Sequence, residues 1–84
     1  MFESGEYELG ADRAQALIAD DPPYGAVYYN TACFESRAGR IDDALAHLRR
    51  GLELAPWLTE MARDDEDLVA LHDSPEWPGI VGTA

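Results

Sequence analysis

The feature that most constrains this 84-residue chain is a correspondence between positions that stand 34 residues apart. Four pairs share a role at this separation: Gly5 with Gly39, Tyr7 with Ile41, Ile18 with Leu52, and Pro22 with Pro56. The roles are those of a loop glycine, a first apolar anchor, a last apolar anchor and a helix-stopping proline. A fixed period of this length is typical of stacked supersecondary units. We therefore expect an all-α chain built by repetition of a helix–turn–helix.

Three long helices are predicted from apolar residues that recur at spacings of three and four. They cover Gly5–Asp20, Gly25–Ala38 and Ile41–Ala55. Pro22 and Pro56 end the first and third helices, because proline lacks the backbone donor and disfavours helical geometry in the residue before it. Gly39 ends the second, in the left-handed position that glycine adopts without strain. The second helix is apolar on several sides, which predicts packing between two neighbours, and Gly10 indicates a close approach to the first.

The C-terminal third is predicted to form shorter elements. Trp57–Arg63 can form a short helix, and Asp64 has the character of an N-cap for the element that follows. Ser74-Pro75-Glu76 indicates a further helix start, with a capping serine and a proline at the first helical position. We expect three apolar residues of this last segment to fold back onto the body: Trp77, Ile80 and Val81.

Residues 25–58 resemble one complete tetratricopeptide repeat of the bacterial type. Five positions agree with the family pattern: Tyr28 as the large aromatic, Ala32 as the small residue, Ala44 as the alanine, Leu48 as the later apolar residue and Pro56 as the closing proline. Two positions depart from it, Thr31 where leucine is usual and Glu35 where tyrosine is usual.

The resemblance extends over most of the chain. Residues 5–24 are similar to the second helix of a partial repeat, and residues 59–84 to a terminal capping segment, so that 1–84 form a single domain. The resemblance implies an antiparallel, right-handed stack of three main helices, a fragment of an α–α superhelix. Each such repeat buries its apolar face against its neighbours, so one and a half repeats leave one face of the first helix to be covered.

Composition narrows the classes of partner. The formal net charge of −11 repels nucleic acid and anionic lipid and attracts basic surfaces, so we expect neither nucleic acid nor membrane as a partner. No apolar run approaches the roughly 20 residues of a membrane span, and the N-terminus lacks the pattern of a secretory signal. Cys33 is the single cysteine, which predicts no internal disulfide and a cytoplasmic location. The basic residues are all arginine, a bias that suggests a bacterial source.

No catalytic, cofactor-binding or metal-binding residue is predicted, and the chain is not expected to be an enzyme. Cys33, His47 and His72 are the soft ligands or nucleophiles, and no pair has the spacing of a zinc site. We interpret Cys33 as a small apolar residue of an inner helix and His47 as a solvent-facing residue. Residues 64–67 lack the alternation and central glycine of a calcium loop; their acids are interpreted as a helix-start cluster favoured by the helix dipole.

The resemblance implies a partner-binding surface on the second predicted helix. This helix is the first of the complete repeat, and in this family the first helix of each repeat lines the concave side. Five residues fall on that face: Ala26, Tyr29, Asn30, Cys33 and Arg37. Ordinary packing or plain surface is the alternative interpretation. The lysines with which family members grip the C-terminal carboxylate of chaperones have no equivalents, because Tyr29 and Cys33 occupy those positions.

The expected function is protein–protein interaction, as a non-catalytic adaptor or scaffold with a protein or peptide partner. One alternative is a regulatory or oligomerising C-terminal appendage of a larger enzyme, for example behind a cupin-like domain. Another is an acidic inhibitor of a basic protein, whose binding weakens as salt rises. A homodimer through the first helix is a further expectation, with Tyr7, Ala14 and Ile18 partly uncovered in the monomer.

Overall fold

The computed structural model describes residues 4–82. Its α-helices are α1 (Ser4–Leu17), α2 (Gly25–Arg37), α3 (Ile41–Leu54), α4 (Thr59–Asp64) and α5 (Trp77–Val81). Two 3-10 helices flank α4, Pro56–Leu58 and Glu66–Leu71. No strand occurs between residues 4 and 82, which confirms the all-α class. Residues 1–3, on which the interpretation of the N-terminus partly depends, lie outside this range.

Helices α2 and α3 form a closely packed antiparallel pair. Gly25 at the start of α2 lies beside Ala55 just after α3, and Glu35 near the end of α2 contacts His47. A Cβ atom built on Gly25 would lie 2.5 Å from the Ala55 Cβ and 2.5 Å from the carbonyl oxygen of Gly51. The two backbones therefore approach to a distance that excludes a side chain at position 25.

Helix α1 packs against the other side of α2, also antiparallel. Tyr7 near the start of α1 lies under the guanidinium of Arg37 at the end of α2. Further along, a Cβ atom built on Gly10 would lie 2.5 Å from Cδ1 of Phe34. The predicted close approach at Gly10 is thus confirmed, and α2 has a neighbour on each side, as its apolar character predicted.

The connection between α1 and α2 is held by one carboxylate. Helix α1 ends at Leu17, three residues before the predicted end at Asp20, and residues 18–20 form a turn. Asp21 then adopts a left-handed conformation with φ of 49°, which aspartate tolerates better than most residues. The Tyr28 hydroxyl donates to its carboxylate, as does the Arg50 guanidinium, whose nitrogens lie 3.2 and 3.3 Å away. These bonds, that of Tyr28 first, lower the pKa of Asp21.

The other boundaries predicted for the three long helices agree with the structure within one residue. Helix α2 ends at Arg37 and α3 at Leu54, against predicted ends at Ala38 and Ala55. Gly39 has a φ of 81°, the left-handed conformation expected from the sequence.

The main core lies between α2, α3 and the C-terminal segment, residues 56–82. Its buried apolar side chains are Tyr29, Ala32, Ala44, Leu45, Leu48, Leu52, Ala62, Leu68, Leu71, Trp77 and Val81. Ile80 packs against this cluster while half-buried. The prediction that the last segment folds back onto the body is therefore confirmed.

The capping residue of the second 3-10 helix differs from the prediction by one position. Asp65, not Asp64, precedes Glu66–Leu71, and its Oδ1 accepts the backbone N–H of Asp67 at 2.9 Å. Asp64 is instead the last residue of α4. Asp65 rather than Asp64 is the capping residue because α4 extends to Asp64, one residue beyond its predicted end at Arg63.

The final helix begins later than predicted. Ser74 Oγ accepts the backbone N–H of Glu76 at 3.2 Å, but α5 begins at Trp77. Pro75 therefore lies in the preceding turn rather than at the first helical position. Pro78 is the proline of the first helical turn.

The face of α1 that was expected to be uncovered is buried. Ala14 on α1 and Ile18 in the turn after it are only 7% and 8% exposed, because α2 packs against this side of the chain. The expectation that Ala14 and Ile18 are partly uncovered is wrong, whereas Tyr7 is half-buried and thus partly uncovered, as expected. The large apolar residues exposed on α1 are Leu9 and Leu17.

Candidate functional site

A groove of about 590 Å³ runs along α2, between α1 and the C-terminal segment. Its lining residues come from α1, α2, α4 and the start of the second 3-10 helix: Tyr7, Tyr29, Asn30, Cys33, Phe34, Arg37, Met61, Asp65 and Asp67. The volume lies within the range of about 300–1,000 Å³ that is usual for ligand pockets. We call this surface the α2 groove.

Four of the five residues predicted for partner binding line the α2 groove: Tyr29, Asn30, Cys33 and Arg37. Tyr29, Cys33 and Arg37 share one face of α2 because they are spaced by four residues, and Asn30 joins this face three residues before Cys33. Ala26 belongs to the same stripe but does not line the groove. It borders a separate depression of about 220 Å³, beside the exposed rings of Tyr24 and Trp57. The first turn of α2 faces the end of α3 rather than the C-terminal acids, so the groove begins one turn later.

Two aspartates, Asp65 and Asp67, form an acidic wall of the groove, and polar contacts link this wall to α2. The Tyr29 hydroxyl donates to Asp65 Oδ2 at 2.6 Å, and Arg37 Nε donates to Asp67 Oδ1 at 2.9 Å. Asn30 is exposed and makes no side-chain hydrogen bond to the described residues. The amide of Asn30 is therefore available to an incoming group, whereas the two carboxylates already have partners.

The pKa values of two groups in the groove, the Cys33 thiol and the Tyr29 hydroxyl, are raised by burial and by the neighbouring aspartates. Burial raises the pKa of the Cys33 thiol to about 12, and the charges of Asp65 and Asp67 add to this effect while Arg37 opposes it. The pKa of Tyr29 is also raised, first by burial and then by its hydrogen bond to Asp65. The Cys33 thiol and the Tyr29 hydroxyl therefore stay protonated at neutral pH, and the negative charge of the wall adds to the rise of both pKa values.

The acidic wall formed by Asp65 and Asp67, and its proximity to Cys33, were not predicted from the sequence. The Cys33 sulfur and one carboxylate oxygen each from Asp65 and Asp67 lie within 4.8 Å of one another, an arrangement that could hold a metal ion. The two aspartates lie more than 30 positions from Cys33, so no local spacing reveals the cluster. Cys33 is half-buried and lines the groove, on the face of α2 where it was predicted to lie.

Buried polar contacts accommodate the two departures from the family pattern, Glu35 and Thr31. Glu35 is fully buried, accepts a hydrogen bond from Gln15 Nε2 at 2.7 Å, and lies 2.6 Å from His47 Nδ1. Thr31 is also fully buried and donates to the Val27 carbonyl at 2.8 Å. The interpretation of His47 as solvent-facing is wrong, since its imidazole turns inward to a carboxylate that would otherwise lack a partner from α3.

No family model matches this chain, and no curated protein or solved structure matches it either. Within residues 4–82, no helix combines the length and the apolar character that crossing a membrane requires.

Proposed function

We propose that this chain is a non-catalytic protein-binding module of the tetratricopeptide type, and that it holds a peptide segment of its partner in the α2 groove. The observation that supports the proposal best is the groove itself. Side chains from three separate parts of the chain converge there around an exposed asparagine, Asn30.

The chemistry of the lining favours recognition over catalysis. Cys33 is the nucleophile of the groove, but its raised pKa keeps the thiol protonated at neutral pH, and the thiolate is the reactive form. The sulfur lies 4.0 Å from Asp65 Oδ2, and that carboxylate already accepts a hydrogen bond from the Tyr29 hydroxyl. Aromatic rings and a free amide are instead the groups that position extended peptides.

The buried contacts of Glu35 support the proposal by fixing α1 relative to α2, and both of these helices line the groove. Glu35 on α2 is linked to Gln15 on α1 and to His47 on α3. A satisfied polar network restricts its helices to one relative arrangement. The groove is therefore formed before a partner arrives, which lowers the entropy lost on binding.

Selection of random peptides displayed on phage tests the proposal. The wild-type chain is immobilised alongside two variants, Asn30→Trp, which fills the groove, and Ala26→Trp, which adds the same ring on the same helix outside it. Both positions are exposed, so both variants are expected to fold, which circular dichroism verifies. We expect peptides that bind the wild type and Ala26→Trp but not Asn30→Trp.

The result that would refute the proposal is equally specific. If no selected peptide distinguishes Asn30→Trp from Ala26→Trp, the α2 groove is not a binding surface. If the peptides are lost on Ala26→Trp instead, recognition occurs at the depression beside Tyr24 and Trp57, and the proposed site is wrong.

A further inference from the structure

The α2 groove already contains one cation, and its surroundings show which group this surface accommodates. The guanidinium carbon of Arg37 lies 5.9 Å from the centre of the Tyr7 ring, and its Nε donates to Asp67 Oδ1 at 2.9 Å. A guanidinium in this position combines a cation–π contact with a charge-assisted hydrogen bond. The side chains of Arg37 and Asp67 are 41% and 48% exposed, so the pair is weakly held and a second cation can compete for the carboxylate.

The groove remains electronegative in spite of Arg37. Asp65 and Asp67 face one basic residue, Arg37, among the described lining residues. Burial is the main cause of the raised pKa of Cys33, and the charges of the two aspartates add to it. The chain as a whole adds a formal charge of −11. An anionic segment entering the groove would meet like charge, whereas a cationic segment would be attracted from a distance and stabilised on arrival.

Next to the acids, the wall is apolar. Phe34 and Met61 line the groove and are 37% and 51% exposed, so each has surface that a ligand can bury. A residue that binds here beside the cation gains from the removal of apolar area from water. The groove thus offers an acidic subsite and an apolar subsite side by side.

We propose that the partner segment is basic: an arginine or lysine side chain lies against Asp65 and Asp67, and an adjacent apolar side chain lies against Phe34 and Met61. This inference rests on the proposed function and specifies the chemistry of its ligand. Arg37 then acts as an internal competitor, since it occupies the carboxylate that the incoming cation needs.

The display experiment becomes a test of ligand charge when binders of Asn30→Trp are first removed. This counter-selection discards peptides that respond only to the overall negative charge. We expect the remaining pool to be enriched in arginine and lysine and depleted in aspartate and glutamate relative to the input library. A synthetic copy of one recovered peptide, labelled with a fluorophore, is then titrated by anisotropy.

Matched variants separate the groove from general electrostatics. Asp65→Asn with Asp67→Asn removes two charges from the groove, and asparagine at position 65 still caps the 3-10 helix. Glu53→Gln with Glu60→Gln removes the same charge from exposed positions elsewhere. We expect the first pair to weaken binding about tenfold or more and the second by less than about threefold, because close charge pairs matter more than distant, screened ones. Asp67→Asn alone serves if the double variant does not fold.

Replacing Arg37 gives an effect whose sign depends on the ligand. Arg37→Ala frees the Asp67 carboxylate, so a basic peptide is expected to bind more tightly, by up to about fivefold, the scale of an exposed ion pair. Weaker binding would mean that Arg37 contacts the ligand, and would overturn the inference. So would equal losses in the two charge-matched pairs.

Failure of this inference is distinguishable from failure of the proposed function. Peptides that require the groove but are neutral or acidic would leave the groove as a binding surface and refute the basic ligand. The absence of any groove-dependent peptide would refute both.

Discussion

Replacing His47 with alanine tests whether the buried carboxylate of Glu35 depends on α3. The substitution removes the Nδ1 atom that lies 2.6 Å from Glu35 Oε1 and leaves Gln15 Nε2 as the side-chain donor among the described residues. Breaking a buried pair by removal of one partner destabilises a protein by about 3–5 kcal/mol. The His47 side chain is 26% exposed, so water can partly replace it, and the higher helix propensity of alanine offsets about 0.5 kcal/mol.

We therefore expect His47→Ala to lower the free energy of unfolding by about 2–3 kcal/mol, below the full effect of a broken buried pair. That is a large share of the total, since a chain of this length has roughly 4–13 kcal/mol of stability at about 0.05–0.15 kcal/mol per residue. The melting temperature is expected to fall by about 10–20 °C, because 1 kcal/mol corresponds to about 4–8 °C in a domain of this size.

Urea unfolding followed by circular dichroism measures the effect, and a double-mutant cycle with Glu35→Gln assigns it to the pair. In the Glu35→Gln background no charge is left unpaired, so loss of His47 should matter less, with a coupling energy above about 1 kcal/mol. Arg49→Ala is the control on the same helix: Arg49 pairs with Glu76, and both side chains are more than half exposed. Its effect should stay below about 1 kcal/mol. The reasoning is refuted if His47→Ala costs no more than this control, or if the coupling energy is absent.

Three further predictions concern the thiol, the helix contact and the face of α1. The pKa of Cys33 is about 12, so iodoacetamide at pH 8 should label the native protein at least about 30-fold more slowly than the urea-unfolded protein, after allowance for the greater nucleophilicity of a high-pKa thiolate. Similar labelling rates in the two states would contradict the burial of the thiol. Because the pKa of Cys33 is raised on folding, its contribution to the free energy of unfolding is fully present below the unfolded value of about 8.5 and is lost as pH rises toward 12. Gly25→Ala should lower the free energy of unfolding by about 1–3 kcal/mol through overpacking, whereas Gly79→Ala, whose Cβ would meet nothing within 4 Å, should change it by less than about 1 kcal/mol. Ile18→Asp buries a charge and should destabilise by more than about 3 kcal/mol, while Leu17→Asp should change stability by about 0.5 kcal/mol or less; equal effects on the urea midpoint would mean that α1 presents a different face to α2.

Local signals predicted the helices and most of their boundaries. Gly39 adopts the left-handed conformation that its place after an apolar stripe indicated, and Gly10 marks the close approach of Phe34. These signals succeed because backbone conformation and apolar periodicity depend on a few neighbouring residues. They failed at the end of α1, where Asp21 is held by Tyr28 and Arg50, contacts that the neighbouring sequence does not reveal.

The α2 side of the groove was predictable from helical spacing and the family resemblance, but the opposite wall was not. Tyr29, Asn30, Cys33 and Arg37 lie on one helix, so the period of that helix brings them together. The acids of the opposite wall reach the groove only because the segment after α4 folds back against α2. In the sequence they form a run of charge whose simplest interpretation was a helix start.

The sequence by itself determined the all-α class, the three long helices and the face of α2 that carries the groove residues. The first two follow from the 34-residue period, from proline and glycine at the helix ends, and from apolar spacing, and the third was implied by the resemblance to a tetratricopeptide repeat. The tertiary structure alone decided the roles of polar side chains: that Glu35 is buried, that His47 turns inward to meet it, and that Asp65 and Asp67 make the groove acidic. The physical reason is that a charge acts on whatever lies within a few ångströms, and those neighbours come from distant parts of the chain.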